Sequence, residues 1–263
     1  MTKRVLVTGG AHRLGALICQ QFTRAGWEVW CHYQHSAQAA QALCDELKQQ
    51  GGQAHAIHAD MANEAQRQHM MQTISSQGGA LHCLVNNAAR FEPDSADQLN
   101  LEVTRQLLEV NLLAPLALSS LMSQSITADQ PAADRCIIHV LDQKVFNLNP
   151  DYFSYTVSKL ALERTVELQA QALAPKIRVC GVAPGLMYPS GPQTQVNFDQ
   201  ASRINLMRQA TDPKQVAATC LFLAENPCIT GVTLTVDNGQ HLLPLPRDVM
   251  FVVDDLMKPS RDA

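Results

Sequence analysis

Arg4-Val5-Leu6-Val7-Thr8-Gly9-Gly10-Ala11-His12-Arg13-Leu14-Gly15 is the stretch whose reading decides the fold. A short β-branched apolar run gives way to Gly9-Gly10 and Gly15, and an amphipathic segment follows from Leu14 to about Ala25. The order is strand, tight turn, helix. Glycines in such a turn let a ligand approach the backbone, and the free N–H groups and dipole of the new helix suit a pyrophosphate. An ordinary βα turn that happens to hold glycines would read the same way. Glu28 to Tyr33 is a second strand and completes a first βαβ unit.

The residues after that second strand bear on the dinucleotide. An NAD site usually places an acid there to accept hydrogen bonds from the ribose 2′-hydroxyl, whereas His32-Tyr33-Gln34-His35-Ser36 contains none. A 2′-phosphate would meet no repulsion. Arg13 and His35 could both face it, which favours NADP(H), although a neutral His35 offers one donor and no charge.

Strands and helices keep alternating. Ser36 to Gln50 is Ala- and Gln-rich and helical, Gly51-Gly52 ends it, and Gln53 to His58 is a third strand. Asp60 either caps a helix beginning near Asn63 or contacts an adenine edge. Leu81 to Val85, a fourth strand, ends in Asn86-Asn87-Ala88-Ala89, the small and amide residues that a backbone-hugging cofactor site requires. Phe91 stands where no core residue is needed. A long helix spans about Leu101 to Ser123 with Asn111 among Leu107, Leu108, Leu112 and Leu113, and that amide needs hydrogen-bond partners. Cys136 to Leu141 is a fifth strand ending at Asp142, and a helix then runs to about Leu173. A sixth strand, Ile177 to Val182, leads to Ala183-Pro184-Gly185. Residues 186 to 200 are too long for a plain connection and form a candidate substrate lid. A helix after Asp212-Pro213 and a strand near Thr233 to Val236 follow. With no internal repeat and no linker, residues 1–263 read as a single α/β domain, with a variable loop at about 186–207 and a tail at 240–263.

Tyr155-Thr156-Val157-Ser158-Lys159 carries candidate chemistry. On a helix, Tyr155 and Lys159 project from one face, and a nearby positive charge favours the phenolate of a group whose ordinary pKa is about 10. Taken alone, the pattern reads more simply as a half-buried Tyr above a surface Lys.

Composition narrows the partner. The 20 Lys+Arg nearly balance 24 Asp+Glu and form no basic run, so a small molecule is expected rather than nucleic acid or an anionic membrane. Eight cysteines are scattered without Cys-x-x-Cys spacing, and nine histidines are equally dispersed. They read as reduced core thiols, with no disulfide frame and no metal site. No signal-peptide pattern or membrane-spanning run is evident, and a cytoplasmic location is expected.

Thr8-Gly9-Gly10-x-x-x-Leu14-Gly15, Asn86-Asn87-Ala88, Asn111, Tyr155-x-x-x-Lys159 and Pro184-Gly185 resemble, in order and spacing, the short-chain dehydrogenase/reductase family over nearly the whole chain. The resemblance implies a Rossmann-type doubly wound parallel sheet and use of NAD(P)(H). It also implies Tyr155 as proton donor, Lys159 binding the nicotinamide ribose and lowering the Tyr pKa, and Asn111 holding a water. Expected cofactor contacts are Gly9, His12, Arg13, Leu14, Gly15, His35, Ser36, Asp60, Met61, Asn87, Ala88, Ala89, Tyr155, Lys159, Pro184, Gly185 and Leu186. The family commonly forms homotetramers through the long helices after the fourth and fifth strands, with which Leu107 to Leu121 is compatible.

Two departures refine the resemblance. Most members have Gly at the position of Arg13 and Ser at that of Asp142, thirteen residues before Tyr155. Both are shared with the pteridine reductases, as is the aromatic of Asn86-Asn87-Ala88-Ala89-Arg90-Phe91. In that subgroup a pterin lies between the nicotinamide and such a Phe, the Arg contacts cofactor phosphate and substrate, and the Asp-Tyr-Lys set manages protons. The ending Ile229-Thr230-Gly231…Asp237-Asn238-Gly239-Gln240-His241-Leu242 is similar to that of bacterial dihydromonapterin reductases. The expectation is an NADPH-dependent dihydropterin or dihydrofolate reductase with substrate contacts at Arg13, Phe91, Asp142 and Tyr155.

Chemistry agrees with this. A pterin offers Phe91 a flat π-face, and its ring nitrogens must gain a proton as hydride reaches the neighbouring carbon. A carboxyl at 142 can meet an amino-pyrimidine edge or pass a proton through Tyr155. Ionised, it would raise the phenol pKa against Lys159, so the set should titrate together, with Asp142 protonated when substrate is bound. Asp142 could instead cap its loop, Phe91 could simply pack, and Ala89 lacks the hydroxyl that related pteridine reductases carry. A reductase of another carbonyl or imine, such as a ketone or 3-oxoacyl thioester, is the alternative. A non-catalytic NADP(H)-binding regulator is the alternative of another class.

Overall fold

Val5, Leu6 and Val7 are wholly buried, as a strand covered on both faces must be. This strand, β1 (Arg4–Val7), is the centre of the molecule. It pairs in parallel with β2 (Glu28–Tyr33) on one side and β4 (Cys83–Asn86) on the other, Val5 lying opposite both Val29 and Cys83. Adding β3 (Gln53–His58), β5 (Cys136–Val140), β6 (Arg178–Pro184) and β7 (Thr233–Val236) gives a seven-stranded sheet in the order β3-β2-β1-β4-β5-β6-β7. Every pairing is parallel. The sheet is the Rossmann-type doubly wound one expected. The computed structural model describes residues 2–126 and 135–257, so the last part of the tail, 258–263, lies outside the described residues.

Side chains alternate along each strand, so Val5 and Val7 face one layer of helices and Leu6 the other. The first layer is α1 (Arg13–Arg24), α2 (Ala37–Gln49) and α8 (Pro213–Glu225), which bury Ile18, Phe22, Leu47 and Leu223. On the second face, α3 (Glu64–Ser76), α5 (Ala114–Gln124) and α6 (Phe153–Leu173) contribute Met70, Leu118, Met122 and Ala170. From β1 the chain winds outward to β3 and then crosses back to β4. That reversal leaves a crevice at the carboxyl ends of β1 and β4, where open α/β sheets bind ligands.

Four details differ from the sequence expectations. The long helix is interrupted: α4 (Leu101–Leu108) passes into a π-helical segment, Glu109–Leu113, before α5. Asn111 sits in that segment, and single π turns of this kind are often found at functional sites. By length and composition Leu101–Gln124 could cross a bilayer. Here Leu107, Ala114, Leu118 and Met122 are buried within the domain, whereas Leu101 and Leu113 are exposed. The candidate lid is partly ordered by α7 (Gln195–Ala201), and the tail contains α9 (Val249–Met257). Asn197 ties the two together, its Nδ2 donating to Met250 O at 2.9 Å and Asp254 Oδ1 at 2.6 Å. Seven cysteines are buried free thiols as expected, whereas Cys228 is exposed in the turn after α8.

Candidate active site

A cavity of about 1170 Å³ occupies the crevice. Its floor is the glycine turn, and that turn has no room for side chains. A Cβ on Gly15 would lie 2.1 Å from Gly9 O, and Gly9, at φ +62°, stands against Ala88. Thr8 Oγ1 accepts from the backbone N–H groups of Asn87 and Ala88, both at 2.9 Å, while Asn87 Nδ2 donates to Thr8 O and Gly9 O. The ends of β1 and β4 are thereby locked together. Arg13 adopts φ +48°, a left-handed conformation that is uncommon outside glycine, and its guanidinium lies 5.6 Å from the ring centre of Tyr188 across the cavity. His12 occupies the N-cap position of α1 without a side-chain bond, and the first turn contains no acid. The helix N-terminus is therefore open toward the cavity.

His32, which the sequence reading passed over, braces this turn. Gly9 N donates to its Nδ1 at 2.9 Å and its Nε2 lies 2.9 Å from Ala59 O, an arrangement that needs a neutral ring with the proton on Nε2. Burial agrees, pushing the pKa down to about 4. Nothing in a strand sequence distinguishes such a histidine from a core residue.

Of the expected cofactor contacts, all but Ser36 line the cavity. Ser36 stands at the start of α2 outside the lining, its side chain making no cap bond. Asp60 lines it but does not cap α3. Asn63 does that, accepting from Gln66 N at 3.1 Å, while Asp60 Oδ1 accepts from Ala62 N. The helix starts four residues after Asp60, too late for its carboxylate to reach the first free N–H groups.

Facing the glycine turn, Tyr155 donates its hydroxyl hydrogen to Asp142 Oδ2 at 3.0 Å. Asp142 Oδ1 accepts from Lys144 N at 2.8 Å and so also caps a single 3₁₀ turn, Gln143–Val145. Loop cap and phenol partner are therefore one residue. Lys159 Nζ donates to Val140 O at 2.8 Å and stands 5.9 Å from the Tyr155 ring centre. The phenol is not lowered as expected. Burial and then the Asp142 charge push its pKa well above the ordinary value, because desolvation opposes a phenolate and a carboxylate stands 3.0 Å from the hydroxyl. Burial also raises Asp142, against the Lys144 N–H and the Lys144 charge, and pushes Lys159 down to about 8. At neutral pH the phenol is a hydrogen-bonded acid beside a carboxyl that binds protons more readily than usual. Such a pair can release a proton and be recharged.

Phe91 lines the cavity, edge-on to Tyr155 with ring centres 4.6 Å apart and stacked on Tyr152 at 4.3 Å. It packs, and still presents surface to the cavity, being 36% exposed. Asn111 lies behind the wall rather than in it. Its Oδ1 accepts from Arg90 N at 2.8 Å, and its Nδ2 donates to Arg90 O and to Ser158 Oγ. The π segment aims this amide at the loop bearing Phe91 and at the helix bearing Tyr155, so it braces both. Neither Tyr155 nor Lys159 touches it through a hydrogen bond among those described.

The family model described as enoyl-(acyl carrier protein) reductase matches residues 9–241. An alternative dihydrofolate reductase 1 (FolM) from Brucella canis, solved with NADP, superposes with a TM-score of 0.87 at 31% identity, covering 99% of this chain and 97% of that one. Pteridine reductase 1 of Leishmania tarentolae is 29% identical over 90% of this chain and 96% of its own length. Cyclopentanol dehydrogenase of Comamonas testosteroni is equally similar, 29% identical over 90% of this chain and 96% of its own.

Proposed function

The chain belongs to the short-chain dehydrogenase/reductase family and is an NADP-dependent oxidoreductase; from that premise we propose that it reduces a dihydropterin or dihydrofolate. The observation that carries this reading is the Tyr155 hydroxyl bonded to the Asp142 carboxylate at 3.0 Å, beside the exposed surface of Phe91. A ketone oxygen needs one hydrogen-bond donor. A carboxyl paired with a phenol suits a heterocycle whose ring nitrogen must gain a proton. The names of the Brucella and Leishmania relatives agree with it.

The donor set fits NADP(H). The open N-terminus of α1 and the glycine cradle suit the pyrophosphate, while Arg13 and His35 supply cationic and donor groups where no acid follows β2. When bound, the reduced cofactor supplies the hydride. Tyr155 gives the proton to a substrate ring nitrogen and is recharged from Asp142. Lys159 would hold the nicotinamide ribose and Arg13 would contact phosphate and substrate, while Phe91 would stack on the heterocycle and Asn111 keeps Phe91 and Tyr155 in place. Burial of the polar trio favours neutral forms, which suits transfer of a proton without stranding a charge.

A ketone is the second reading, favoured by the cyclopentanol dehydrogenase relative. NADPH oxidation with dihydrobiopterin, dihydromonapterin, dihydrofolate, cyclopentanone and a 3-oxoacyl thioester separates them. Turnover of a pterin or folate that Tyr155→Phe abolishes is expected; turnover of the ketone or thioester alone would refute the proposal. On this reading the partner is a small molecule. Exposed Leu101, Leu113, Val157 and Leu168 on α4, the π segment and α6 fit a homotetramer, which light scattering would test. Seven buried free thiols suit a reducing, cytoplasmic location.

A further inference from the structure

Besides Asp60 and Asp142, the cavity wall holds a third carboxylate that the chemistry above does not use. Asp248, just before α9, lines the cavity, and its Oδ2 accepts from Lys144 Nζ at 3.3 Å. The Lys144 side chain is only 4% exposed and also donates to Asp151 O at 2.9 Å. Asp151 holds the other side of the arrangement. Its carboxylate accepts from Arg247 Nε at 2.8 and 2.9 Å and from Asp248 N at 2.7 Å. Because Asp151 lies two residues before α6, these bonds fix Asp248 relative to Tyr155 on that helix. The Asp248 charge also adds to the influences holding the Tyr155 phenol up.

Asp248 Oδ1 accepts from Met250 N at 3.1 Å, an ordinary helix-start bond. Capping needs one oxygen and no counter-ion. It does not require a buried ammonium on the second oxygen, nor a neighbouring carboxylate and guanidinium to pin the backbone. Those features hold a charged acceptor at the cavity wall.

We propose that Asp248, held by Lys144, determines substrate specificity by accepting a hydrogen bond from a hydroxyl on the substrate's side chain. This rests on the pterin reading. In a 7,8-dihydropterin the N5=C6 double bond is reduced: hydride adds to C6, a proton from Tyr155 adds to N5, and a single bond remains. C6 also carries the side chain. The substituent therefore begins one bond from the atom that takes the proton, and Asp248 lines the same cavity as Tyr155 with its charge close enough to act on that phenol. Hydroxyls there match a carboxylate acceptor, and hydrogen bonds to a charged group are the stronger kind.

The test compares kcat/KM for dihydrobiopterin, whose side chain carries hydroxyls, with that for 6-methyl-7,8-dihydropterin, which has none. Lys144→Met/Asp248→Ser leaves no unpaired buried ammonium and keeps a capping oxygen. The preference for dihydrobiopterin should fall by about tenfold or more, through KM rather than kcat, as loss of a charged hydrogen bond predicts. Asp248→Asn, nearly isosteric and still an acceptor, should retain part of the preference and serves if the double variant folds poorly. An unchanged ratio in both variants, with both compounds reduced by the wild type, would overturn the role of Asp248. Wild-type protein that reduces neither compound would overturn the pterin reading and this inference with it.

Discussion

Asp142→Asn removes an ionisable group and almost no volume, and it should cost turnover far more than stability. The asparagine oxygen can still accept from Lys144 N, now 2.8 Å from Oδ1, so the loop keeps its cap. The Tyr155 hydroxyl loses the acceptor at 3.0 Å and meets an amide nitrogen, to which it cannot donate. A carboxyl raised by burial takes up its proton more readily folded than unfolded, so its contribution is favourable at low pH and is lost as pH rises through the raised pKa. Asparagine removes that pH-dependent contribution but leaves the Tyr155 hydroxyl without its acceptor, so it should leave the melting temperature nearly unchanged. Asp142→Ala should not. It strands the Lys144 N–H and the Tyr155 hydroxyl, at about 1–3 kcal/mol for each buried unsatisfied group, or about 2–6 kcal/mol together. Both variants should lose about 10²–10⁴-fold in kcat with dihydrobiopterin, the range that general acid–base groups supply, while the NADPH Kd changes little. Stopped-flow NADPH oxidation, cofactor fluorescence titration and thermal melts at pH 7 measure the three quantities. An asparagine variant with kcat within roughly threefold of wild type would refute the proton role, since that loss is far smaller than acid–base catalysis supplies.

Other outcomes follow from the same geometry. Gly15→Ala places a methyl 2.1 Å from Gly9 O, so the turn must open and the NADPH Kd should rise by about tenfold or more, with dihydropterin KM less affected. Arg13→Ala combined with His35→Ala should cut the preference for NADPH over NADH by about tenfold or more, read from the two kcat/KM values. His32 and His139 are buried with pKa values pushed down to about 4, so their stabilising contribution, full above pH ~6.5, should be lost as pH falls toward 4, by about 3 kcal/mol each. Urea denaturation at a series of pH values would show it, and a flat profile over that interval would contradict it.

Much of the fold was readable because its signals are local and repeated. Val5 to Val7, Cys83 to Val85 and Cys136 to Ile138 are continuous buried apolar runs, as parallel strands covered on both faces require. The Tyr155–Lys159 spacing and the acid at Asp142 were equally legible. What escaped depends on contacts distant in sequence. The π segment at Glu109–Leu113 leaves the leucine periodicity almost unchanged, and only Arg90 and Ser158 reveal where the Asn111 amide points. Lys144 meets Asp248 across 104 residues, and no pattern near either announces the pair. The expected lowering of the Tyr155 phenol failed for a related reason. Helical spacing puts an ammonium near the ring, but burial and the carboxylate thirteen residues earlier decide the direction.

The most direct measurement follows the hydride. With NADPH deuterated at C4 on the transferred face and dihydrobiopterin as acceptor, the account predicts one deuterium at C6 of the tetrahydropterin, detected by proton NMR and mass spectrometry. The label should be absent with Tyr155→Phe. A product without deuterium, or label found only in a ketone acceptor's alcohol, would contradict it.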